Sequence, residues 1–184
     1  VVRQISLSNK EPDWMLDLRL KALKIFLESK KPTWWPSLDR LNLQDIYYFA
    51  KAEWGWDKKS WDDVPDAIKD TFERLWIPEA ERAVLAWVGA QYDSEVVYHN
   101  LRQELKDKWV IFEDMSVAII EHEDIVRKHF MKVVPASDHM FAALHGAVWS
   151  WGTFLYIPKG VKIDAPLQAY FRMNVQSGGQ FEHT

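Results

Sequence analysis

Apolar positions recur at helical spacing over residues 11–31, where Met15, Leu18, Ala22 and Ile25 form one stripe and Leu16, Leu20, Leu23 and Leu27 a second beside it. That pattern predicts a core helix with two covered faces. Pro12 suits a first turn, Glu11 and Asp13 sit at the positive end of the helix dipole, and Lys30, Lys31 and Pro32 close the other end. Residues 32–62 lose the periodicity. Pro32, Pro36, the aromatic trio Tyr47, Tyr48 and Phe49, and a polar run from Lys51 to Lys59 read as an irregular, mobile insertion. The spacing then predicts a short helix from about Pro65 carrying Ile68, Phe72 and Leu75, another opening at Pro78, and a loop at Val88, Gly89 and Ala90. Residues 94–108 read as a helix with Val97, Leu101 and Leu105 on one side, and 110–112 as a short strand. Helices are expected near 124–131 and over 138–149, the second capped by Ser137 or Asp138.

The period then changes from helical to two. Residues 153–157 and 167–175 read as strands, separated by breaks at Pro158-Lys159-Gly160 and Asp164-Ala165-Pro166. In the longer run Gln168, Tyr170, Arg172 and Asn174 alternate with Ala169, Phe171, Met173 and Val175, so one face can pack while the other serves recognition or chemistry. The expected class is α+β, helical over 1–150 and strand-forming over 151–184.

Charge and composition remove several function classes. The net charge of −4, without a Lys/Arg cluster, gives no footprint for nucleic acid or an anionic membrane surface. No apolar run approaches the roughly 18 residues needed to span a bilayer, and no signal-peptide pattern is visible, so a cytoplasmic location is expected. The absence of Cys excludes disulfides, thiolate ligands and persulfide carriers within these residues. Glu95 and His99 stand four apart, His122 and His129 seven apart, and Glu182 and His183 side by side on opposite faces of a strand-like run. None of these matches a zinc motif, so no metal site is assigned, and neither a phosphate-binding loop nor a nucleophile elbow occurs.

One run carries a resemblance. FLYIPKGVKIDAPLQAYFRMN, preceded by VVPASDHMFAALHGAVWS and followed by GGQFEHT, resembles the SufB branch of the SufB/SufD family, scaffold subunits of the SUF iron–sulfur cluster assembly machinery. The similarity continues upstream through GAQYDSEVVYHNL to EPDWMLDLRLKAL, in order. It implies a helical N-terminal domain leading into the first coils of a right-handed parallel β-helix, truncated here, and a chain that is a fragment. It further implies an iron–sulfur cluster in the intact protein with ligands outside this segment, and a sulfur-accepting cysteine downstream. The implied partners are a SufC-type ATPase that carries out ATP hydrolysis, a SufD-type or second SufB subunit, a cysteine desulfurase and a sulfur carrier. Arg172 and Asn174 match the Phe-Arg-(Met/Ile)-Asn stretch implicated in a sulfur-transfer tunnel, where a guanidinium stabilises an anionic sulfur species and an amide orients it. A SufD-type partner subunit is the nearest alternative. A β-helix enzyme, sugar-modifying or acyl-transferring, is more distant, because the visible strands carry no clustered carboxylates or catalytic His.

Tryptophan usage changes how the chain should be read. There are eleven Trp and only seven Gly, against a usual glycine share of roughly 7%. Trp109 follows the helix expected to end at Lys108, the left-handed position glycine normally fills, and Trp76 stands in the same relation to Leu75. The family pattern has Gly at Trp76, Trp87, Trp109 and Trp151. Reading Trp35, Trp54, Trp56, Trp76, Trp87, Trp109 and Trp151 as glycines, through UGA codons decoded as Gly in the source organism, would double the seven Gly. Trp14, Trp34, Trp61 and Trp149 would remain.

Overall fold

A computed structural model describes residues 1–34, 36–49, 70, 87–92, 95–101, 103–164, 167–172 and 177–184. The chain divides into two compact units whose segments alternate along the sequence. The first comprises residues 1–49, 115–152 and 176–183, and the second residues 50–114 and 153–175 with Thr184.

The first unit is built on helix α2, Asp13–Glu28, within the span its apolar stripes predict. Pro12 is its N-cap, and Ser29 closes the C-terminal turn by donating from Oγ to the Ile25 carbonyl at 2.6 Å. Helix α1, Val2–Ser8, precedes it and has no counterpart among the sequence expectations. Val2 and Ile5 of α1 and Ala22 of α2 pack with Leu144, Ala147 and Val148, and Leu20, Leu23 and Phe26 complete the cluster. Leu27, assigned by its spacing to a covered stripe, is instead exposed. The aromatic end of the 32–62 insertion is packed as well. Tyr48 and Phe49 join the same core after a 3₁₀ turn at Leu43–Asp45, and the Tyr48 hydroxyl donates to the Leu43 carbonyl at 2.7 Å.

The remaining helices of this unit are α4, Met115–Glu121, α5, Glu123–His129, and α6, Met140–Val148. Only the last two were legible as separate periodic runs. The cap of α6 differs from expectation: His139, not Ser137 or Asp138, accepts through Nδ1 from the amides of Phe141 at 3.1 Å and Ala142 at 3.2 Å. An imidazole nitrogen reaches the orphan donors of the first turn as a Ser or Asp oxygen would.

Among the described residues the second unit contains two sheets. Strand β1, Trp87–Tyr92, pairs antiparallel with β2, Glu95–Leu101, and parallel with β5, Leu167–Arg172, in the order β2-β1-β5. Strand β3, Ile111–Asp114, pairs antiparallel with β4, Thr153–Tyr156. Two expectations are corrected here. The loop at Val88, Gly89 and Ala90 is the middle of β1, and the helix over 94–108 is strand β2 followed by a one-turn helix α3, Gln103–Lys106. Glu95 and His99 therefore lie along a strand, not on one helix face. Spacing of apolar residues at 97, 101 and 105 imitates a helix, but Val96, Val97 and Tyr98 favour an extended backbone once β1 offers a hydrogen-bonding partner.

Helix α3 ends in a Schellman motif. The Trp109 amide bonds to the Lys106 carbonyl at 2.8 Å, the Val110 amide to the Leu105 carbonyl at 3.0 Å, and Trp109 takes the left-handed conformation with φ 62°. Leu105 and Val110, the apolar pair that such a motif brings together, are buried with Phe112 against Val161, Ile163, Leu167 and Ala169. The helices expected from Pro65 and Pro78, the polar run 51–59 and the residues 173–176 lie outside the described residues.

Candidate functional site

Strand β5 carries the stretch singled out as a sulfur-transfer element. Its backbone register sets Gln168 opposite Val88, Tyr170 opposite Ala90 and Arg172 opposite Tyr92. Arg172 thus ends the parallel pairing, and Asn174 lies outside the described residues. Among the described residues β5 is an edge strand, with one row of backbone groups open for further pairing.

A second constellation, which the sequence did not announce, occupies the first unit. Arg19 stands in the middle of α2 between the buried Met15 and Ala22 and is itself fully buried. Its guanidinium donates through Nε to Glu11 at 2.7 Å, and through NH1 to the carbonyls of Ala147 at 3.2 Å and Trp149 at 2.7 Å. It also lies over the Trp149 ring, 4.4 Å from the centroid. One cation therefore satisfies the orphan carbonyls at the C-terminus of α6 while Glu11 neutralises it. The isolated charge within an apolar stripe was the available signal. Reading the stripes alone hides it.

Next to Arg19 sit two imidazoles. His145, the polar residue of the apolar helix α6, approaches His183 with Nε2 and Nδ1 2.8 Å apart, and the His183 ring stacks on Phe130 at 4.0 Å. Burial, and then Arg19, lower the pKa of His145; burial, then His145 and Arg19, push His183 down to about 4. Both rings are consequently neutral at neutral pH. Glu182, considered with His183 as a ligand pair, instead accepts a bond from Gln180 at 3.3 Å, and burial raises its pKa. This arrangement positions backbone; it holds no nucleophile with an adjacent base. Elsewhere in the unit Leu20, Leu23, Phe26, Tyr48, Leu144 and Val148 line an apolar hollow of about 490 Å³.

Among the described residues no helix is long and apolar enough to cross a membrane. Residues 3–169 match the family model described as the SufBD protein N-terminal region. Over all 184 residues the chain is 53% identical to an iron-sulfur cluster assembly SufBD family protein of Staphylococcus haemolyticus. It has the same identity to proteins of that description from Staphylococcus aureus strains USA300 and NCTC 8325. It spans 39% of the length of each of these relatives.

Proposed function

The chain belongs to the SufBD family, and from that premise we propose that it is the N-terminal part of a SufB-type scaffold on which an iron–sulfur cluster is assembled. The observation that carries the proposal is the family match over 3–169, joined to the ordered SufB-like runs that continue through Phe171, Arg172, Met173 and Asn174. The preference for SufB over a SufD-type subunit rests on QYDSEVVYHNL and YFRMN.

In this reading, the strand-forming residues 153–175 open a right-handed parallel β-helix while 176–183 return to the first unit, and the edge position of β5 among the described residues supports it by offering backbone groups to a following strand. Arg172 and Asn174 line the route of sulfur toward the assembly site. The segment has no Cys, so the persulfide-accepting thiol belongs to the remainder of the protein, where the resemblance to SufB also puts the cluster ligands. Sulfur arrives from a cysteine desulfurase through a carrier, a SufC-type ATPase supplies ATP hydrolysis, and a SufD-type or second SufB subunit completes a cytoplasmic complex. The chain itself performs no catalysis.

The test is Arg172→Ala in the full-length protein. Cluster formation with desulfurase, carrier and iron should fall severalfold while the circular dichroism spectrum and unfolding midpoint stay near wild type. A normal cluster yield would remove Arg172 from the sulfur route.

A further inference from the structure

Residues 177–183 run as a strap along the first unit. The Tyr47 amide bonds to the Ser177 carbonyl at 3.0 Å and the Gly179 amide to the Tyr47 carbonyl at 3.0 Å; the Ser150 amide bonds to the Phe181 carbonyl at 2.9 Å and the His183 amide to the Trp151 carbonyl at 2.6 Å. Gly152 permits this approach. It has φ 148°, and a Cβ placed there would collide with the His183 backbone. Two side chains hold the strap from above: Phe181, tilted against Tyr48 with centroids 5.6 Å apart, and His183, stacked on Phe130.

The His145–His183 contact needs one imidazole nitrogen to donate and the other to accept. A first proton leaves one imidazolium donating to a neutral ring and costs the burial of a second cation near Arg19, and a second proton makes the rings meet donor to donor. Helix α6 presents His145 to His183, and α2 presents the Arg19 guanidinium, whose countercharge, Glu11, is already bound to it. Phe130 and Trp149 set uncharged rings against His183, and the neighbouring Glu182 is bonded to Gln180. A proton arriving here is buried beside a cation.

We propose that residues 177–183 form an acid-releasable strap, seated while the His145–His183 pair is neutral and lifted from the helical unit when the pair takes up a proton. The sign follows from linkage. The released histidines bind protons near 6.5 and the seated ones lower, His183 at about 4, so seating is fully favoured above about 6.5 and weakens as pH falls toward 4.

Amide hydrogen exchange on the full-length protein, corrected for the intrinsic pH dependence of exchange, tests this. Between pH 7.5 and 5 the protection of 177–183 should drop roughly 10- to 30-fold, as one linked proton allows, while α2 and α6 keep theirs. The double variant His145→Gln, His183→Gln should show no such step, and Gly152→Ala should lose strap protection at both pH values. Unchanged protection at pH 5, the same step in the double variant, or simultaneous loss from α2 and α6 would overturn the proposal. Should the double variant not fold, the wild-type imidazole resonances decide. Titration of both rings below 6.5 in step with strap release supports it, and titration without release overturns it.

Discussion

Trp109 shows most directly how a single residue can conflict with its backbone. It occupies the left-handed C′ position of a complete Schellman motif, and its side chain is 81% exposed, so little packing offsets the Cβ penalty. Trp109→Gly should raise stability by about 0.5–1 kcal/mol in urea unfolding, the relief of strain exceeding the extra chain entropy of glycine. Trp109→Ala, which keeps a Cβ, should give no comparable gain. This position was legible because a helix end followed by a strand fixes where the left-handed residue falls. Trp151 was not legible in the same way: the positive φ belongs to Gly152, one residue on, and Trp151 is buried with its ring stacked 6.1 Å from Phe49. Glycine is therefore demanded at 109 and not at 151, so among the described residues the UGA reading draws its structural support from Trp109. Arg19 escaped notice for a different reason. A charge inside an apolar stripe is ordinarily solvated, and only the arrival of Ala147 and Trp149 from far along the chain, together with Glu11 just ahead of the same helix, makes its burial tolerable.

At the scale of elements, local periodicity located α2, α5, α6, β3, β4 and β5 but misread residues 88–101. The pairing of β1 with β2 and β5 links residues far apart in sequence, and a strand that gains both neighbours overrides a helix-like spacing of three apolar side chains. Helix α4 escaped because it follows β3 without a break, Asp114 ending the strand and Met115 opening the helix. The α6 cap is the clearest local surprise. Replacing His139 by Ala should cost about 1 kcal/mol, the usual loss of an N-cap acceptor, whereas His139→Asn should retain most of the stability. Equal destabilisation by both would show that the ring packing with Trp34 and Phe141, not the Nδ1 acceptor, is what matters there.

At the scale of the molecule, the two units interleave along the chain, so residues 1–49 depend on 115–152 and 176–183 for their core, and truncation before Phe181 would strip a residue packed on it. The strand-forming tail is accordingly part of what completes the helical unit. That dependence could not be read from periodicity, which treats 1–150 and 151–184 as successive blocks. Family membership, in contrast, was legible from several short runs in fixed order, because such runs are specific where composition is not. The central claim, a SufB-type role in cluster assembly, is tested most directly by complementation. The full-length gene, carrying glycine codons wherever UGA is found, is placed in a bacterium lacking its own SufB-type subunit, and the activity of an iron–sulfur enzyme is measured. Restored activity in that strain, and none in one lacking only its SufD-type subunit, is the predicted result. Rescue of the SufD-deficient strain alone, or of neither, would contradict it.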